Sequence, residues 1–240
     1  MGELVHCTIE AGVATITLDS PTNRNALSVQ LLDELHAALD QAEAPQVRVV
    51  VLGHTPPVFC AGADLKASTP AGTAPMARAI ERLGSSRVPT IAAVNGPVRA
   101  GGIGIMAACD LVVVAPSVTF AFTEVRIGVA PAIISVPILD RCGWSKLAAP
   151  FLTGEVFDAA RALDIGLVTH VSDDVAATVA TLVAGILGGA PGAVAATKRV
   201  LRQTQRDMAA MQALSEALFQ APEAAEGMRA FATKTTPVWN

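Results

Sequence analysis

The sequence predicts an α/β fold in which buried parallel strands alternate with helices, and three observations carry that expectation. Residues 47–52 form a nearly continuous β-branched run, repeated at 90–94 and 111–115, as in strands covered on both faces. Between such runs, apolar residues recur at helical spacing. Each strand is followed by a glycine-rich segment, at 59–64, 95–104 and 128–130, which suits βα connections.

Taken in order, residues 4–9 and 13–19 alternate apolar and polar side chains around Ala11-Gly12, which predicts an opening β-hairpin. Ser28 is a plausible N-cap for an amphipathic helix built on Leu31, Leu32, Leu35 and Leu39, ending near Pro45. Residues 67–75 read as a mobile loop of Ser, Thr, Pro and Gly. Beyond about Val171 the strand signal stops. Ala-rich helical patterns follow at 175–187, 193–202, 208–219 and 223–231. The stretch 175–197 carries no charge and is long enough for a membrane span, yet Gly188, Gly189, Pro191 and Gly192 predict two helices joined by a turn.

At 240 residues the chain suits one large domain, or one with a small appendage. Charged residues are only 16% and apolar residues 52%, leaving too little charge to cover a monomer and predicting an oligomer. A net charge of -4 without a basic cluster argues against nucleic-acid binding. Cys7, Cys60, Cys109 and Cys142 are scattered, with no metal-ligand or disulfide spacing, and are expected as free thiols. The N-terminal stretch holds Glu3 and Glu10 and lacks the basic start and apolar run of an export signal, so the expected location is cytoplasmic.

Two segments are candidates for chemistry. In Phe59-Cys60-Ala61-Gly62-Ala63-Asp64-Leu65-Lys66, small residues let a ligand approach bare backbone amides, as an oxyanion site requires. In Asn95-Gly96 and Ala100-Gly101-Gly102-Ile103-Gly104, a glycine-rich turn opens a small-residue helix whose free N–H groups favour an oxygen anion. Phosphate binding is the alternative, but neither GxGxxG nor a Walker lysine is present.

With PTNRNAL (21–27), FAFTEVRIG (120–128), LTG (152–154), GLV (166–168) and EGMRAFATK (226–234), these segments resemble the enoyl-CoA hydratase/isomerase (crotonase) superfamily over nearly the whole chain. The resemblance implies a spiral of ββα units over residues 1–188 and a helical trimerisation region over 189–240, assembled as a homotrimer or homohexamer. It implies an acyl-CoA substrate, no metal and no cofactor apart from the coenzyme A of the substrate. Nucleic-acid and membrane partners are not expected. By position, the amides of Ala63 and Gly101 would hold the thioester oxygen. Arg24, Ala26, Leu27, Ala61, Asp64, Leu65, Lys66, Arg99, Gly102, Gly104, Phe231 and Lys234 would contact substrate, with Lys234 reaching a neighbouring subunit's coenzyme A.

The acid/base position departs from the family. Of the two glutamates that typical hydratases place over the substrate, the first falls on Gly104, and the second is Glu124. Set among Phe122, Val125 and Ile127, Glu124 is expected to be poorly solvated, with a raised pKa. Restoring an acid at Gly104 should raise hydration if the helix tolerates it. With no tyrosine in the chain, a naphthoate-synthase role is excluded, and no dehalogenase-type Asp, His and Trp set is visible. Arg99 either faces solvent or pairs with a carboxylate on the acyl group, as a substrate such as methylglutaconyl-CoA would offer. The expected activity is hydration of a 2-enoyl-CoA, with double-bond isomerisation or simple acyl-CoA binding as alternatives. His54, His170 and Asp110 are expected to be structural.

Overall fold

A computed structural model describes residues 2–64 and 73–239. The opening hairpin pairs β1 (Val5–Glu10) with β2 (Val13–Leu18) antiparallel, Glu10 opposite Val13. Helix α1 (Val29–Ala42) is capped by Ser28, whose hydroxyl accepts from the Leu31 N–H at 3.2 Å, and its leucines face inward. Strand β3 (Val49–His54) lies parallel to β2. The loop expected at 67–75 lies largely outside the described residues, and its last residues are instead helical, opening α2 (Thr73–Ser85). Ala79, Ile80 and Leu83, at one-turn spacing, bury α2 despite its weakly apolar start.

After β4 (Thr90–Val94) come β5 (Val98–Arg99), α3 (Gly101–Ala108), β6 (Leu111–Val114) and β7 (Thr119–Ala121). Two helices, α4 (Ala132–Cys142) and α5 (Trp144–Thr153), precede β8 (Phe157–Asp158), α6 (Ala159–Asp164) and β9 (His170–Val171). The main sheet runs β1-β2-β3-β4-β6-β9, parallel beyond the hairpin, and β5-β7-β8 form a small second sheet. Its two- and three-residue strands give no sequence period, and only tertiary pairing creates them.

Helix α7 (Val175–Gly188) lays Val175 and Val179 on Val49, Val51, Ile91 and Val113, which explains the unbroken apolar runs of the central strands. It is followed by α8 (Pro191–Arg202) after a bend of 113°, and among the described residues no single helix is long and apolar enough to cross a membrane. The last two helices, α9 (Met208–Phe219) and α10 (Pro222–Thr233), leave Met208 and Phe231 more than four-fifths exposed.

Helix α8 is fastened to the core by charge. Lys198 is only 7% exposed, and its Nζ meets Asp110 Oδ2 at 2.8 Å and donates to Val88 O at 2.9 Å. Arg202 donates to Asp110 Oδ1 at 2.8 Å and to Ala108 O at 2.7 Å, and Arg141 donates to Ala107 O at 2.8 Å, Asp110 O at 3.0 Å and Cys109 O. Asp110 also accepts from the Thr90 N–H at 2.8 Å and hydroxyl at 3.1 Å. The carbonyls at the end of α3, which have no helical partner, are thus taken by two guanidinium groups. Asp110→Ala would leave Lys198 buried without its counter-ion, and a urea titration is expected to show about 3 kcal/mol or more of lost stability. Lys198→Met removes the buried charge itself and should cost distinctly less.

Candidate active site

Three chain segments are stitched side by side to build the site. The Leu27 N–H donates to Gly62 O at 2.8 Å, the Asp64 N–H to Leu27 O at 3.4 Å, and the Arg99 N–H to Cys60 O at 3.0 Å. Because Gly62 and Asp64 make the bonds to Leu27, the intervening Ala63 turns its amide the other way, onto a cavity it lines with Gly101. The Ala63 nitrogen lies 4.0 Å from where Gly101 would carry a Cβ. Gly101 opens α3, so its N–H has no helical acceptor. Ala100 enters the helix at φ 47°, ψ -123°, a strained conformation for a residue with a Cβ, held by the Ala100 N–H bond to Ala121 O at 3.1 Å. Asn25, at φ 53°, anchors the facing turn: its Oδ1 accepts from the Ser20 N–H at 2.6 Å and its Nδ2 donates to Val58 O at 2.8 Å.

The cavity has a volume of about 350 Å³, and its walls include Met76, Ile127, Val129, Ile133 and Ile134. Among its described lining residues, Glu124 is the only one with an ionisable side chain. It sits in the short 3-10 turn Thr123–Ile127, with Oε2 buried and without a hydrogen-bond partner. Burial pushes its carboxyl above the ordinary range, against a smaller opposing effect of its own backbone N–H. Two amides facing one space and a desolvated carboxylate beside it can stabilise an oxyanion while a proton moves to or from an adjacent atom.

The family described as enoyl-CoA hydratase/isomerase matches residues 8–240. The chain belongs to the enoyl-CoA hydratase/isomerase family. It is 32% identical to the mevalonyl-coenzyme A hydratase of Aspergillus fumigatus, over 95% of this chain and 91% of that one. An enoyl-CoA hydratase from Mycobacterium avium is 42% identical, with all of both chains covered and a TM-score of 0.78. The Mycobacterium smegmatis enoyl-CoA hydratase is 29% identical, covers 98% of each chain and has a TM-score of 0.91. The fold is therefore the crotonase fold.

Among the residues expected to bind substrate, Ala61, Ala63, Gly101 and Glu124 line this family cavity together. Ala26 and Leu27 are buried beneath it, with Leu27 Cδ1 3.0 Å from the Cβ position of Gly101, while Arg24 is exposed on the neighbouring turn. Asp64 follows the Ala63 bridge but is not in the cavity wall. Leu65 and Lys66 lie outside the described residues. Phe231 and Lys234 stand at the exposed end of α10, away from the cavity wall of their own chain.

Three expectations are corrected. Arg99 does not face the acyl site: its guanidinium donates to Val98 O at 2.9 Å, Thr119 O at 2.6 Å and Thr119 Oγ1 at 3.0 Å, because β5–β7 pairing brings Thr119 beside it. Gly102 is a packing position, since a Cβ there would lie 2.6 Å from Cys60 Cβ. Gly104 offers no room for an acid either. A Cβ there would lie 2.5 Å from Ile134 Cγ2 and 3.0 Å from Ile80 Cδ1.

Cys60, Cys109 and Cys142 are buried free thiols and Cys7 is half-buried. His54 is structural, its Nε2 accepting from the Asn95 N–H at 3.0 Å and its ring set edge-on to Phe59. The residue that sequence reasoning missed is Ile134, whose position against Gly104 depends on α3–α4 packing. Gly104→Glu is accordingly expected to destabilise the protein by about 2 kcal/mol or more through overpacking, instead of adding hydration, as thermal unfolding and a 2-enoyl-CoA hydration assay would show.

Proposed function

We propose that the cavity binds an enoyl-CoA thioester with its carbonyl oxygen on the Ala63 and Gly101 amides, and that Glu124 is the single proton carrier. A shift of the double bond from the 3- to the 2-position is the reaction this arrangement supports best. Glu124 takes a proton from C2, the electron pair passes through the conjugated system onto the thioester oxygen, and the same proton returns at C4. No atom is gained or lost, and one carboxylate suffices. The observation that carries the reading is that Ile134 fills the space beside Gly104, leaving Glu124 as the one titratable group in the described cavity wall. Hydration of a 2-enoyl-CoA is the second reading, favoured by the names of the relatives. It requires Glu124 both to activate water and to supply the α-proton. Coenzyme A enters as part of the substrate.

Glu124→Gln keeps the shape and removes the base, so turnover should fall by about 10²- to 10⁴-fold with thioester binding retained. Offering 2-enoyl- and 3-enoyl-CoA in deuterated water separates the readings. Interconversion of the alkenes without oxygen gain supports the shift, a 3-hydroxyacyl product supports hydration, and full activity of Glu124→Gln overturns both.

The raised pKa of Glu124 has a thermodynamic sign. Below its unfolded pKa the group is protonated in both states and costs nothing. As pH rises from there to the folded pKa, the unfolded chain releases the proton more readily and stability falls. Glu124→Gln should therefore melt higher than wild type at neutral pH, and the gain should disappear below about pH 4, near the ordinary carboxyl pKa.

We also propose that the chain forms a homotrimer or homohexamer. Leu152, Met208, Phe219 and Phe231 expose between 69% and 88% of their surface, and burying such apolar area against further copies is favourable. Light scattering at micromolar concentration should give a multiple of three protomers, and a clean 24.6 kDa species would overturn this.

A further inference from the structure

We propose that Ile134 is the specificity-determining residue that sets how deep an acyl chain can run, so that the site takes uncharged, apolar acyl groups up to a length fixed by that side chain. The proposal rests on the acyl-CoA reading above. Ile134 is 1% exposed, lines the cavity and projects from α4 onto the backbone of α3. Its Cγ2 and Cβ lie 2.5 and 2.9 Å from the Cβ position of Gly104, and Ile80 of α2 closes the same notch at 3.0 Å. Where Ile134 meets Gly104 it therefore lies against glycine backbone, with the Ile80 methyl end beside it. Shortening Ile134 would open volume continuous with the cavity, because the side chain removed is itself part of the cavity wall.

The chemistry of the wall fixes the class of group that can fill it. The described lining carries one charge-bearing side chain, the carboxyl of Glu124, and Arg99 spends its donors on Val98 and Thr119. An acyl tail ending in a carboxylate would lose its hydration beside another acid, with no cation in that lining to replace the water. An alkyl tail loses nothing and buries apolar area.

Calorimetric titration with saturated, unreactive acyl-CoAs from butyryl to dodecanoyl, and with glutaryl-CoA, tests this on wild type, Ile134→Ala and Ile134→Val. Wild-type affinity should rise with chain length and then turn over. Ile134→Ala should move the turnover to longer chains and improve the first excluded chain by about tenfold, since one methylene in an apolar pocket is worth roughly 10- to 200-fold. Ile134→Val should shift the profile less, in the same direction, and it decides the matter if the alanine variant fails to fold. Glutaryl-CoA should bind at least about tenfold more weakly than pentanoyl-CoA. A wild-type profile without a turnover, a turnover unmoved in folded variants, or glutaryl-CoA binding as tightly as pentanoyl-CoA would overturn the proposal while leaving the acyl-CoA reading intact. Failure of wild type to bind any acyl-CoA would overturn that reading and this proposal with it.

Discussion

The distance at which α3 can lie against its neighbours governs the site. All eight of its residues are buried, and at three of its four N-terminal positions a side chain would collide with something: Met76 and Leu27 at Gly101, Cys60 at Gly102, Ile134 at Gly104. Glycine there costs helix propensity. What it permits is contact between the helix backbone and the 59–63 segment, α2 and α4 at once. That contact brings the Gly101 amide alongside Ala63 without any side chain intervening. The same clearance explains why the helix is apolar all round, since it has no face left for water.

Electrostatics then divides the helix between its ends. At the C-terminal end, Arg141 and Arg202 supply donors to the unpaired carbonyls, and Asp110 balances their charge. At the N-terminal end the Gly101 amide has no helical partner and lies in the cavity wall. An oxygen that gains negative charge there meets donors already fixed in place, with little reorganisation required. Glu124 lies in the same apolar surroundings, so the burial that raises its proton affinity would also strengthen the hold of those donors on such an oxygen.

Much of this was legible in the chain alone where one short-range physical rule sufficed. Strands sandwiched between two layers must be apolar on both faces, so β3, β4 and β6 stood out. Ser28 marked its helix because the capping bond spans only three residues. Glycines beside a strand end signalled close backbone approach before any partner was known. The limits came where meaning depends on a distant partner. Arg99 looked free to meet a ligand until β7 placed Thr119 beside it. Gly104 looked like a missing acid, whereas its significance is the isoleucine thirty residues later that occupies the space. Lys198 lay on what read as one more Ala-rich helix, and nothing in its neighbourhood announced a buried pairing with Asp110.

The fastening of α8 to the end of α3 bears on how the molecule comes into being during synthesis. Asp110 is paired with residues 88 and 92 positions further along the chain, so loop closure must be achieved before those bonds form. A nascent chain that has emerged only through β6 already holds both glycine-rich segments, yet the carbonyl end of α3 still lacks Arg141, Lys198 and Arg202. Until they arrive, that end of the helix has only water to satisfy it. The carbonyl end of α3 therefore gains its full set of side-chain partners only when the chain is more than four-fifths made.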